Sequence, residues 1–205
     1  MLAPTATGSD AAPIQDAPGR GHAYAGIGSR FKTPQISLRY MGLLARKLAG
    51  MDYTLRSGGS GQSDMAFEAG AEAAGGNTEI FLPWRGFDKR AVGTPAQELP
   101  IYADCLRIAA DHHPAWGSLR DGDRKLHARN VPIILGRTLI NPSRFVVCWG
   151  KNPRLDGQGR VMDCDGGTGL GVRVAYSHGV PVFHLGIQEH ARRILTFCGD
   201  DALLM

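Results

Sequence analysis

The chain has 205 residues, 43% of them hydrophobic, which is enough for one domain with a full core. Its 23 basic and 19 acidic residues leave a net charge of +4, too weak to mark a nucleic-acid-binding protein but compatible with attraction of phosphate-bearing ligands. Four cysteines with no Cys-x-x-Cys pair argue against a disulfide framework or a zinc site, and no apolar run approaches the roughly 20 residues that span a bilayer.

These features lead us to expect a reducing, cytoplasmic setting with no membrane contact. Residues 1–22, rich in Ala, Pro, Gly and Asp, read as a disordered tail ahead of one domain over 23–205. Ala23 to Ile27 reads as a short strand entering a glycine turn. Thr33-Pro34 then opens a helix in which Leu38, Met41, Leu44, Ala45 and Leu48 recur at helical spacing up to Gly50. A second strand at Tyr53–Arg56 runs into Ser57-Gly58-Gly59-Ser60-Gly61. A small-residue helix follows from about Ser63 to Ala74, and a third strand covers Glu79–Leu82.

The middle predicts helices over Gln97–His113 and Leu126–Leu139, with Pro132 as a kink or early start of the second. Arg144–Trp149 is a nearly continuous apolar strand, as expected deep in a parallel sheet. Residues 150–165 read as a polar loop. Gly166-Gly167-Thr168-Gly169 opens a helix to about His178, Pro181–Leu185 is a fifth strand, and a last helix covers Gln188–Phe197. The alternation predicts an α/β fold: a Rossmann-like, doubly wound, mostly parallel sheet in a single domain.

Three glycine loops follow predicted strands or open predicted helices: Gly26-Ile27-Gly28-Ser29-Arg30, Ser57-Gly58-Gly59-Ser60-Gly61 and Gly166-Gly167-Thr168-Gly169. In a doubly wound sheet such loops share one edge, where ligands bind. A helix starting there offers free N–H groups and a positive dipole end to phosphate, and Arg30 adds a fork of donors. Neither the phosphate loop ending in Gly-Lys-Ser/Thr nor a clean dinucleotide fingerprint is present, which argues against a standard ATPase or NAD dehydrogenase.

The segments YAGIGSRFKTP, LRSGGSGQSDMAFEAGAE, IFLPW, LHARN, FVVCWG and DGGTGLGVRVAYSHGVPVFHL occur in this order. Together they resemble the SLOG superfamily, which includes the DNA-processing protein DprA and the Lonely Guy phosphoribohydrolases. The nearest resemblance is to small single-domain DprA-like proteins, often encoded by bacteriophages. It covers about residues 23–187. It implies a Rossmann-like fold that binds nucleotides or their derivatives, commonly as a homo-oligomer. Carried onto this chain, it implies ligand contacts at Gly28, Ser29, Arg30, Ser57, Gly58, Gly59, Arg129, Asn130 and Gly166 to Gly169. Two positions depart from the family. Where Lonely Guy hydrolases carry Thr and a catalytic Glu after the third loop, this chain has Leu170 and Arg173. Where DprA has an arginine in the second loop, it has Gly61.

Asp64 and Glu68 lie four apart on one predicted helix and face the same way, so they form a candidate catalytic pair with Arg129. A carboxylate can stabilise the positive charge that develops on a sugar as an N-glycosidic bond breaks. Asp64 near a helix start and Glu68 on its surface are equally read as a dipole partner and a solvated charge. Arg173 and Tyr176 could meet a ligand or an oligomer partner, and Trp149 could pack on a base. His112-His113 and Asp163-Cys164-Asp165 fit no standard metal site, so neither metal nor cofactor is expected. Three functions remain open: a nucleotide-binding N-glycosidase acting on nucleoside monophosphates, a non-catalytic sensor or sponge of a nucleotide signal, and, less favoured, a DprA-like single-stranded DNA binder.

Overall fold

Short apolar strands, each followed by a helix with one apolar face, stack into one parallel sheet in the computed structural model, which describes residues 22–199. The tail expected over 1–22 lies outside the described residues except for His22, whose ring sits 4.7 Å from that of Tyr53. In chain order, β1 (Ala23–Gly28) leads to α1 (Gln35–Gly50), β2 (Thr54–Ser57), α2 (Gly61–Glu72) and β3 (Thr78–Leu82). A short edge strand β4 (Thr94–Pro95) precedes α3 (Tyr102–His112), α4 (Asp121–Ala128) and α5 (Asn130–Leu135). Then come β5 (Val146–Trp149), a hairpin of β6 (Arg154–Leu155) and β7 (Val161–Asp163), α6 (Gly167–Ser177), β8 (Val182–His184) and α7 (Gln188–Phe197).

The six strands of the main sheet run in the order β4-β3-β2-β1-β5-β8, every pair parallel. Alternation along β1 and β5 feeds two cores. Ala25, Ile27, Val146 and Cys148 pack with α3, α5 and α6 on one face. Tyr24 and Val147 pack with α1, α2 and α7 on the other. Both faces are covered, which is the doubly wound Rossmann-like arrangement that the strand and helix alternation predicts. The chain steps outward from β1 to β4 on one side, then returns to place β5 on the other side of β1. That reversal opens a crevice beyond the carboxyl ends of β1 and β5.

Four local expectations change. The helix expected over Gln97–His113 is a single 3-10 turn, Ala96–Glu98, followed by α3. Leu99 before Pro100 takes an extended ψ of 140°, as the proline ring demands of its predecessor. The helix expected over Leu126–Leu139 is two helices, α4 and α5, that meet at Arg129. Pro132 has no amide to donate back to Ala128, so the ladder breaks there and the ring sits in the first turn of α5. The polar stretch 150–165, expected as a loop, contains the antiparallel hairpin β6–β7. The edge strand β4 was not foreseen, because two residues carry no alternation to read.

Candidate functional site at the sheet edge

The crevice between β1 and β5 holds a cleft of about 530 Å³. Its near wall is the turn after β1. The Ser29 amide donates to the Trp149 carbonyl at 3.1 Å, and Gln62 donates to the Arg30 carbonyl at 3.2 Å. The hydroxyls of Thr33 and Ser63 are hydrogen-bonded to each other at 2.9 Å, and both lie within reach of the Ser29 carbonyl, at 3.3 and 3.1 Å. The turn is thus tied to β5 on one side and to the start of α2 on the other.

The floor is an ion pair. Asp64, in the first turn of α2, accepts the Ser60 amide at 3.0 Å. Its carboxylate lies 3.7 Å from Nη1 of Arg129, and both side chains are buried. Burial pushes the Asp64 carboxyl up to about 7; Arg129 and the Ser60 amide pull it down without offsetting the loss of water. Arg129 comes from the α4–α5 junction, and its Nε is buried with no hydrogen-bond partner. The guanidinium rests on Gly58, where an added Cβ would stand 1.4 Å from Nη1.

The far wall is the start of α6. Gly166 holds φ 76°, a left-handed conformation suited to glycine, and a Cβ at Gly166 or Gly167 would meet only open space. The first turn of the helix leaves amides without intrahelical partners and the positive end of the dipole facing the cleft. Asn130 ties this start to α5 by donating to the Gly167 carbonyl at 3.1 Å.

The sequence candidates separate into two groups. Gly28, Ser29, Arg30, Asp64, Arg129, Asn130, Gly166, Gly167 and Thr168 line the cleft. Gly26, Ser57, Gly58, Gly59, Gly169 and Glu68 do not. Gly26 makes room for Phe67, and Ser57 donates to the Gly26 carbonyl at 2.7 Å. Gly59 sits against Arg90, and Gly169 against the Cys164 carbonyl. Glu68 is paired with Arg90, and burial pushes its carboxyl up despite that partner. Trp149 packs with the α1, α2 and α7 core rather than into the cleft. Arg173 is held by Asp163 at 2.5 Å and by the His112 carbonyl at 2.6 Å, and Tyr176 donates to Asp156 at 3.0 Å.

The cleft also contains residues to which the sequence assigned no role: Phe31, Lys32, Asp123, Leu126, His127 and Lys151, together with Ser60 of the second glycine loop and Asp165, set aside above as a metal ligand. Asp123 and His127 lie four apart on α4, the spacing that puts two side chains on one helix face. Burial, with help from His113 and Arg173, pushes the His127 imidazole down to about 4, so it is neutral near pH 7. Among the described residues no group of three or more His, Cys, Asp or Glu could hold a metal ion. No helix among them is long and apolar enough to cross a membrane.

No family model and no curated protein matches the chain. Solved structures do. The molybdenum cofactor carrier protein MCP from Chlamydomonas reinhardtii is 20% identical, covers 89% of this chain and 85% of its own, and superposes with a TM-score of 0.48. TM1055, a structural genomics target, is 21% identical, covers 78% of this chain and 71% of its own, and gives a TM-score of 0.45. The Rossmann-like assignment itself rests on the strand order, the parallel register and the two helical layers.

Proposed function

We propose that the cleft binds a nucleoside monophosphate and that the chain hydrolyses its N-glycosidic bond. The observation that carries this reading is the buried pair of Asp64 and Arg129 on the floor of a cleft whose far wall is the start of α6. The start of α6, with Lys151 and Asn130 beside it, suits the phosphate. Asp64 then faces the sugar. As a carboxylate it accepts a hydrogen bond from a ribose hydroxyl and stabilises positive charge on the ring as the base departs. With a pKa near 7 it also suits transfer of the proton from attacking water. Water supplies hydroxide to the sugar, and the leaving base takes up a proton. Glu68, outside the cleft, acts on this centre only through its charge, which pushes the Asp64 pKa higher.

Incubation with nucleoside monophosphates of every base, in ribose and deoxyribose forms, is expected to release free base on chromatography. Asp64→Asn should abolish release yet keep thermal stabilisation by the same ligand. No release from any member of the panel rejects the hydrolase. A second reading, a binder without turnover, is favoured by Arg173, which is ion-paired with Asp163 and stands where the Lonely Guy hydrolases that the sequence resembles carry a glutamate. It predicts a rise in melting temperature with no product.

A further inference from the structure

The two ends of the cleft differ in chemistry. Toward α6 it is polar, with Lys151, Asn130, Gly166 and Gly167. Toward β3 it is lined by Arg30, Phe31 and Leu126. These last belong to one continuous strip. Leu126 packs against the small core of Ile80, Leu82 and Phe87. The Arg30 guanidinium lies 5.4 Å from the Phe87 ring centre and 5.5 Å from that of Phe31. Nη2 of Arg30 donates to Asp88 at 2.6 Å, so one arm of its fork and its plane are engaged within the protein. Phe31 ends the strip and is 68% exposed.

That exposure is not the result of a loose loop. The residues on either side of Phe31 are pinned: Arg30 through its carbonyl and guanidinium, Thr33 through its hydroxyl, and Lys32 in a left-handed turn with φ 65°. A turn that holds a lysine in a conformation L-residues seldom adopt, and so presents an aromatic ring at a cleft mouth, leaves a large apolar face waiting for a partner.

We infer that Phe31, backed by Arg30, is the platform on which the planar base of the ligand stacks. The inference rests on the nucleotide reading above and adds an orientation to it. The phosphate lies at α6, the sugar over Asp64, and the base on the strip beyond β1. Arg30 acts here as a stiffener of the platform rather than as a phosphate fork.

Calorimetric titration with nucleoside monophosphates and with ribose 5-phosphate tests this. Wild type should bind the nucleotides more tightly than ribose 5-phosphate. Phe31→Ala should weaken nucleotide binding by about tenfold or more, in line with base-on-aromatic stacking. It should leave ribose 5-phosphate affinity and melting temperature unchanged, and Phe31→Trp should restore nucleotide binding. Equal loss for both ligands, or no loss for either, overturns the platform. Wild-type protein that binds ribose 5-phosphate as tightly as every nucleotide overturns the platform but leaves the phosphate site standing. Wild-type protein that binds neither overturns the nucleotide reading and the platform with it.

Discussion

Gly58 has no left-handed φ, so its backbone would accept any residue, and its lack of a side chain answers to sterics alone. The space that a Cβ would take holds Nη1 of Arg129, and Oδ2 of Asp64 is 2.9 Å from it. Gly58→Ala should therefore drive the guanidinium from its seat and leave a buried carboxylate without its counter-charge. We expect a loss of about 1–3 kcal/mol in urea denaturation, the scale of overpacking in a tight interior. In an Arg129→Ala background the same substitution should cost clearly less, because the 1.4 Å clash is gone and only the 2.9 Å contact with Asp64 Oδ2 remains. Equal costs in the two backgrounds would mean that Gly58 serves something other than Arg129. The cycle also separates the two meanings of a glycine-rich loop. Gly58 makes room for protein, whereas Gly166 and Gly167 face open cleft.

At the scale of elements, α2 carries Asp64 and is placed by its crossing with α1. The crossing point is a pair of glycines that are not equivalent. A Cβ at Gly70 would stand 2.2 Å from the Gly42 carbonyl oxygen, and backbone cannot yield as a side chain does. A Cβ at Gly42 would meet only the Ala66 carbonyl, at an ordinary 3.6 Å. Gly70→Ala should force the helices apart and destabilise by about 1–3 kcal/mol. Gly42→Ala should instead stabilise by up to about 1 kcal/mol, through helix propensity. Thermal melts of the two variants that shift in the same direction would refute the asymmetry. Such contacts mark where the sequence stops being readable. The apolar runs of β1, β2, β3, β5 and β8 are bounded by Gly, Pro or polar residues, so these five strands and their parallel sense follow from pattern. The break between α4 and α5 is hidden because apolar spacing continues across it, and only Pro132 signals it. The hairpin β6–β7 has no apolar alternation; Arg154 holds it together through Asp163 and Asp165. The glycine loops were legible as turns on one edge, but which glycine faces the cleft depends on neighbours such as Arg129 and Arg90, distant in sequence.

For the whole molecule, buried titrating groups set two opposing slopes of stability against pH. The Asp64 carboxyl titrates at about 7 in the fold, against 3.8 ordinarily, because burial disfavours its charge. The folded chain keeps a proton that the unfolded chain has already lost, so this group removes stability as pH rises from about 4 to about 7. The imidazoles act in the other direction. Burial lowers His127 to about 4 from 6.5, and lowers His113, His184 and His190 as well. There the unfolded chain takes up protons first, so stability falls as pH drops below about 6.5. Below that value the four lowered imidazoles oppose the raised carboxyls of Asp64 and Glu68, and above it the raised carboxyls act without them. The carboxylates with lowered pKa, Asp156, Asp165 and Glu189, act at pH below this window, and the raised Cys105 and Cys164 thiols act above it. Urea midpoints between pH 4 and 8 should therefore peak slightly on the acid side of neutrality. Asp64→Asn should flatten the fall above the peak and leave the acid limb in place, while His127→Asn should ease the acid limb only. If Asp64→Asn kept the wild-type slope between pH 6.5 and 8, the carboxyl would not titrate there, and the proton transfer assigned to it would lose its physical basis.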